Sequence, residues 1–260
     1  MKDIISDTLF LPLYFRALDA QKSQSILNDP IALELSQQFE FDTDTLDNAH
    51  FSRAGTIARA KFFDDLARDF IRNNPNPVIV NMAAGLDSRT LRIWDKKAAF
   101  FDIDLPDVIE LRKKYIQDKS TLIAADAFKF DYFEPLLKYK NAQFCFIFEG
   151  FFMYFDKKEI KHLIENITQH FNGLLLGDFA FGNTMQKTQK RHDAAKNIAA
   201  KFKIGFDDID EMLQINPKLH LKQQKYFYEK EFAHLFGWRR YLMMLIPKMG
   251  KAMSLLALEF

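Results

Sequence analysis

The stretch from Pro77 to Arg89 constrains the fold more than any other. Val78-Ile79-Val80-Asn81-Met82 is a largely apolar run suited to a strand buried on both faces. Ala83-Ala84-Gly85 follows at once, then Leu86-Asp87-Ser88-Arg89. A backbone without bulky side chains can pass close to a ligand at a strand's carboxyl end. Asp104 stands 19 residues beyond Gly85, just after a second apolar run, Ala98 to Phe101. A carboxylate at the tip of the neighbouring strand can take both hydroxyls of a ribose. Together these residues predict a nucleoside-binding crevice in an α/β sheet. The stretch is not Gly-x-Gly-x-x-Gly, since position 83 is Ala and position 88 is Ser, so alone it also suits an ordinary tight strand-to-helix turn.

The rest of the chain alternates in the same manner. Residues 1 to about 50 carry short helical patterns, with Pro30 suited to a first helical position. Phe63, Leu66, Ala67, Phe70 and Ile71 recur at helical spacing, and Asn73-Asn74-Pro75 stops that helix. Arg59 is four residues before Phe63 and shares its inward face, where a guanidinium needs an anion: a ligand or a structural acid. Further strands are predicted at 98–103, 121–125, 143–148 and 174–179, ending near Asp104, Asp126, Glu149 and Phe179. Asp126 suits either an adenine amino group or a turn cap, and Glu149 faces the same crevice. Asp156 with Glu159 is a capping box opening another helix. Residues 183–220 are polar and helical in pattern and interrupt the alternation, as a lid or a solvated helix pair would. Trp238–Ile246 and Ala252–Phe260 are read as two strands joined by a turn at Pro247–Gly250, an antiparallel pair closing the sheet.

Composition bounds the function. The 260 residues suffice for one α/β domain spanning 1–260. Thirty-six basic and 35 acidic residues leave a net charge of +1, with no overall footprint for nucleic acid or an anionic membrane. One cysteine, Cys145, within an apolar run, argues against an intrachain disulfide and suits a reducing, cytoplasmic setting. No run approaches a membrane span, and Asp3, Asp7 and Pro12 break the apolar N-terminus, so no signal peptide is expected. Twenty-eight phenylalanines predict an aromatic-rich core.

The blocks Arg16-Ala17, Asp29-Pro30-Ile31-Ala32, Ala58-Arg59-Ala60-Lys61 and Val80 to Arg89 occur in order. They continue as Asp102-Ile103-Asp104-Leu105-Pro106, Ala125-Asp126 and Glu149-Gly150-Phe151-Phe152-Met153-Tyr154. In this the chain resembles the leucine carboxyl methyltransferase family and related bacterial O-methyltransferases of polyketide-type pathways. The resemblance implies a Rossmann-like, seven-stranded sheet with an antiparallel closing strand and a helical N-terminal cap over 1–74. It implies S-adenosylmethionine as cofactor. Ala83, Ala84 and Gly85 would approach the amino-acid part, Asp104 the ribose, Asp126 and Ala127 the adenine, and Glu149 the amino-acid end. Arg59 matches an arginine that binds a carboxylate, expected to be that of the cofactor's methionine part first and that of the acceptor second, and Arg16 matches an N-terminal basic residue at the cofactor. The family's first loop glycine is here Ala83. The acceptor would be a small molecule or a protein carboxylate, with Arg59 and Tyr154 expected at the reacting end. A carboxylate acceptor needs no base, whereas a hydroxyl would need one, Tyr154 or His192 being candidates. Two other readings remain. A nicotinamide-dependent oxidoreductase fits the acid after the second strand but lacks the three-glycine fingerprint. A non-catalytic nucleoside-binding or interaction module would accommodate Ala83.

Overall fold

The structure, a computed structural model, describes residues 2–139, 141–191, 193–194 and 200–260. Helices α1 (Lys2–Ala20), α2 (Pro30–Ser36), α3 (Thr43–Leu46) and α4 (His50–Asn73) precede the first strand. Then come β1 (Pro77–Met82), α5 (Arg89–Arg92), β2 (Ala99–Asp104), α6 (Pro106–Tyr115) and β3 (Thr121–Ala124). Next are α7 (Phe133–Leu136), β4 (Gln143–Phe148), α8 (Lys157–His170) and β5 (Gly173–Ala180). The chain continues with α9 (Thr184–Thr188), α10 (Ile209–Gln214), β6 (His220–Lys225) and α11 (Ala233–Phe236). It ends with α12 (Arg239–Leu245), α13 (Pro247–Gly250) and β7 (Met253–Glu259).

The seven strands form one sheet in the order β3-β2-β1-β4-β5-β7-β6. Strands β1 to β5 run parallel, and β7 is antiparallel to both β5 and β6. Strand order reverses between β1 and β4, which opens a crevice at their carboxyl ends.

Alternation along the strands explains why the parallel run reads as apolar throughout. Val78, Val80, Phe144, Phe146 and Phe148 point to one face, against Ile160, Leu163, Ile164 and Ile167 of α8. Ile79, Cys145 and Ile147 point to the other, against Phe63, Ala67 and Phe70 of α4. A central parallel strand has no polar face to show. Cys145 is fully buried among these side chains, and burial pushes its thiol well above the ordinary range, so it packs rather than reacts.

Two expectations need correction. Trp238–Ile246 is not a strand: Arg239–Leu245 is helical, and Pro247–Gly250 is a helical turn rather than a hairpin. Leu, Met and Arg, which dominate that stretch, are strong helix formers, and only Ile246 is β-branched. The antiparallel partner of β7 is instead His220–Lys225, a polar sequence because it forms the sheet edge. The polar segment therefore ends where β6 begins, at His220. Pro12 lies inside α1 without ending it. Leu13 and Phe15 are buried there, and contacts with α2 and α4 hold the helix through the missing N–H. Among the described residues no helix is long and apolar enough to cross a membrane.

Candidate active site

The loop after β1 turns twice through left-handed backbone, at Ala83 (φ 51°) and Gly85 (φ 53°). It is held from below by Arg112 of α6, which is fully buried and donates to Gly85 O and Asp87 O, both at 2.8 Å. Asp104 holds it from the side. Its Oδ2 accepts from Gly85 N (2.7 Å) and its Oδ1 from Leu105 N (2.7 Å). Burial pushes this carboxyl above its usual range, and the two backbone N–H groups oppose that. Asp102, two residues earlier on the same strand, is fully buried and takes Asn81 Nδ2 (2.9 Å) and Thr90 Oγ1 (2.8 Å). Asp102 thus braces the loop, while Asp104 lines the cavity.

Left-handed backbone costs an L-residue about 1–2 kcal/mol, and the Ala83 methyl is exposed toward the cavity. Ala83→Gly is expected to raise folding stability by about 1 kcal/mol, because it removes that strain without emptying a packed site. An unchanged urea midpoint would show that the loop absorbs the strain.

A network of buried charge joins the loop to α4 and β4. Arg89 donates from Nε to Asp64 Oδ1 (2.8 Å), from Nη1 to Asn81 Oδ1 (3.2 Å) and from Nη2 to Glu149 Oε2. Arg92 contacts Asp64, Asp29 and Asp87, each at 2.8 Å. Burial alone would raise Asp64 and Asp87, but Arg92 and Arg89 outweigh it and hold both below the usual carboxylate range. Arg59 donates from Nε to Glu149 Oε1 (2.9 Å) and from Nη1 to Asp178 Oδ2 (3.2 Å). Burial opposes its charge, but Asp178 and Glu149 keep its pKa raised. The other Asp178 oxygen accepts from Gly150 N (2.7 Å).

Above these groups lies a cavity of about 950 Å³. Asp104, Arg59, Glu149 and Tyr154 line it, with Leu9, Phe15, Phe51, Phe202 and Met253 among its apolar walls. Arg16 also reaches it: Nη2 donates to Leu86 O (2.9 Å), and its buried Nε forms an ion pair with Asp29 Oδ2 (3.3 Å). Tyr154 is pushed up to about 12 by burial, with Arg59 pulling the other way. It therefore keeps its proton near neutral pH and can donate a hydrogen bond there, but is poorly matched to general-base work.

The segment after β5 covers part of the cavity through Thr184, Met185, Thr188, Asp193, Ala194 and Phe202. It is anchored by Lys203 N to Met153 O (2.9 Å) and by the bridge between Phe181 and Phe206. Gly205 lies so close to β5 that a Cβ there would stand 1.9 Å from Ala180 O. Asp193 accepts from Phe51 N (2.8 Å) and Ser52 N (3.2 Å), capping α4 from 142 residues away where Ala49 offers no side-chain acceptor. Asp193→Ala is expected to uncap α4 and release the segment. Amide exchange at Thr184–Thr188 and 202–206 should then rise while α8 stays protected. Equal exchange in both proteins would assign the anchoring to the backbone contacts alone.

Arg16, Arg59, Ala83, Ala84, Gly85, Asp104, Glu149 and Tyr154 therefore meet at one cavity. Asp126 and Ala127 do not line it, and Asp126 Oδ1 accepts from Phe128 N (3.0 Å), which is the turn-cap arrangement. His192 lies outside the described residues. Sequence reading missed Asp64, Arg92 and Asp178 as members of the network. A visible signal existed for Asp178, an acid inside the apolar run of β5.

The sheet order and the carboxyl-edge site define the class of Rossmann-like methyltransferase folds. Residues 10–168 match the leucine carboxyl methyltransferase family, and the chain belongs to it. It is 30% identical over 185 residues to the S-adenosyl-L-methionine-dependent methyltransferase dpfgK of Gibberella zeae, covering 64% of this chain and 61% of that protein. It is 27% identical over 169 residues to the tetracenomycin polyketide synthesis O-methyltransferase TcmP of Streptomyces glaucescens, covering 64% and 62%. The chain thus spans about three fifths of the length of these two relatives. Among solved structures it is similar to a Thermobifida fusca protein described as a methyltransferase (TM-score 0.57, 11% identity, 94% of this chain and 93% of that one). It is also similar to the magnesium protoporphyrin IX methyltransferase of Synechocystis (TM-score 0.53, 7% identity, 89% and 94%). At such identities the likeness is one of fold.

Proposed function

We propose that the chain is an S-adenosylmethionine-dependent O-methyltransferase acting on the carboxylate of an apolar small molecule. The observation that carries this reading is the pairing within one cavity of Asp104 on the loop side with Arg59, Glu149 and a protonated Tyr154 opposite.

The residues present fit the cofactor. Each Asp104 oxygen takes one backbone N–H, leaving acceptor capacity for ribose hydroxyls. Arg16, paired with Asp29 (3.3 Å), brings a positive charge to the loop side of the cavity, where it would face a carboxylate. Ala83, Ala84 and Gly85 would pass close to the amino-acid part, and Glu149 would take its ammonium end. When bound, the cofactor supplies a sulfonium methyl group whose transfer leaves a neutral thioether.

The chain's own residues would position the acceptor and exclude water. Arg59 is oriented by two carboxylates and can present its remaining N–H groups to an anionic oxygen. Tyr154 can donate a second hydrogen bond. The apolar walls strip hydration from the acceptor's carboxylate, which favours its reaction with a cation. A carboxylate needs no base, in keeping with a tyrosine that keeps its proton.

Calorimetry with S-adenosylmethionine and with NAD, followed by labelled-methyl transfer to a panel of apolar acids and phenols, tests the reading. Expected are S-adenosylmethionine binding near the micromolar level, about −8 kcal/mol, and transfer to acids. Arg59→Lys, which keeps charge but loses the planar fork, is expected to spare most cofactor affinity and to lower transfer to acids by roughly tenfold or more. Binding of NAD alone, or transfer to phenols only, would overturn it.

A further inference from the structure

The balanced net charge of the chain hides an uneven distribution. From Phe232 to Leu258 there is no Asp or Glu, while Arg239, Arg240, Lys248 and Lys251 all fall in that stretch. Among the described residues none of these four cations makes an ion pair. Arg239 and Arg240 instead lie over the rings of Trp238 and Tyr241.

The same stretch carries the most exposed large apolar side chains of the described structure. Leu245 is 78% exposed and Trp238 63%, with Tyr241, Leu242, Met244 and Ile246 also exposed. Of α12 only Met243 turns inward. At 3.6 residues per turn Tyr241, Leu242, Met244 and Leu245 share one broad arc of the helix, opposite Met243, with Arg239 and Arg240 at its two margins. Water-exposed aromatic and aliphatic groups flanked by unpaired cations are the composition of a helix seated at a bilayer interface.

We infer that α12 and α13 form a docking surface for a membrane bearing anionic headgroups. Trp238, Tyr241 and Leu245 enter the interfacial region, and Arg239, Arg240, Lys248 and Lys251 face the phosphates. The argument is one of charge complementarity and apolar projection, and it does not depend on the reaction proposed above. Its consequence for the site is direct. Met243, Ile246, Lys248 and Met249 line the cavity, so docking sets the cavity's edge against the bilayer.

Flotation of the full chain with vesicles tests this. It is expected to float with phosphatidylglycerol–phosphatidylcholine vesicles, to stay behind with pure phosphatidylcholine, and to be released by salt. Each basic residue near such a surface contributes roughly fivefold, so Arg240→Ala with Lys251→Ala should weaken binding roughly 30-fold. Leu245→Glu should abolish it. Both variants change solvent-facing groups, so their melting temperatures should match the parent. No flotation on anionic vesicles overturns the proposal, as does binding that neither variant weakens. A sedimentation mass showing a dimer that Leu245→Glu converts to monomer would also overturn it, assigning the face to a second copy of the chain.

Discussion

Arg89→Met is expected to cost about 3–5 kcal/mol of folding stability, a large part of what a domain of this kind has in total. Arg89 is 0% exposed and joins four separate pieces of chain. It reaches Asp64 on α4, Asn81 on β1, Asp87 in the loop and Glu149 after β4. Methionine fills much of the volume but leaves carboxylates buried with fewer partners. Arg92 still holds Asp64 and Asp87, and Arg59 still holds Glu149, so the loss stops short of two uncompensated charges. Arg89→Lys keeps the charge and loses the fork, and should fall between the two. Urea unfolding of the three proteins reads the difference directly. A midpoint for Arg89→Met within error of the parent would show the network to be dispensable for folding.

Asp104→Ala is expected to weaken cofactor binding by about 1.5–3 kcal/mol, roughly 10- to 150-fold, if the proposed function holds. Two losses combine. A charged acceptor facing the cavity disappears, and Gly85 N loses the partner that fixes the loop at left-handed φ. Asp104→Asn separates them, because its carbonyl oxygen can still accept from one backbone N–H while the charge is gone. Calorimetry with S-adenosylhomocysteine should therefore rank parent, Asn and Ala in falling affinity. Asp102 cannot substitute, since it is buried beneath the loop and already occupied by Asn81, Thr90 and Ser120. Equal affinity in all three proteins would remove Asp104 from the ribose.

What the sequence by itself determined is the set of features written in local order. Apolar runs bounded by small residues and acids marked β1 to β5. The capping box at Asp156 and Glu159 marked α8, and both of its reciprocal hydrogen bonds are present. Asp104 and Glu149 were legible because an acid at the carboxyl tip of a buried strand has nowhere to go but the crevice. Inward placement of Arg59 followed from its spacing to Phe63, but whether it met a ligand or a structural acid did not. That required knowing that Glu149 and Asp178, 90 and 119 residues away, converge on it. The same holds for Arg89 and Arg92, whose partners come from Asp29 ahead of α2, from α4, from β1, from the loop and from Glu149 after β4. Ion pairing between distant segments leaves no periodicity to read.

Tertiary structure also decided the C-terminal order. The run Trp238–Ile246 is apolar enough to be read as a strand, yet the place beside β7 is taken by polar His220–Lys225. An edge strand needs backbone pairing on one side only and gains little from apolar side chains, so hydropathy misplaces it. The apolar run instead lies on the surface as helix, a position that composition alone does not distinguish from a buried one.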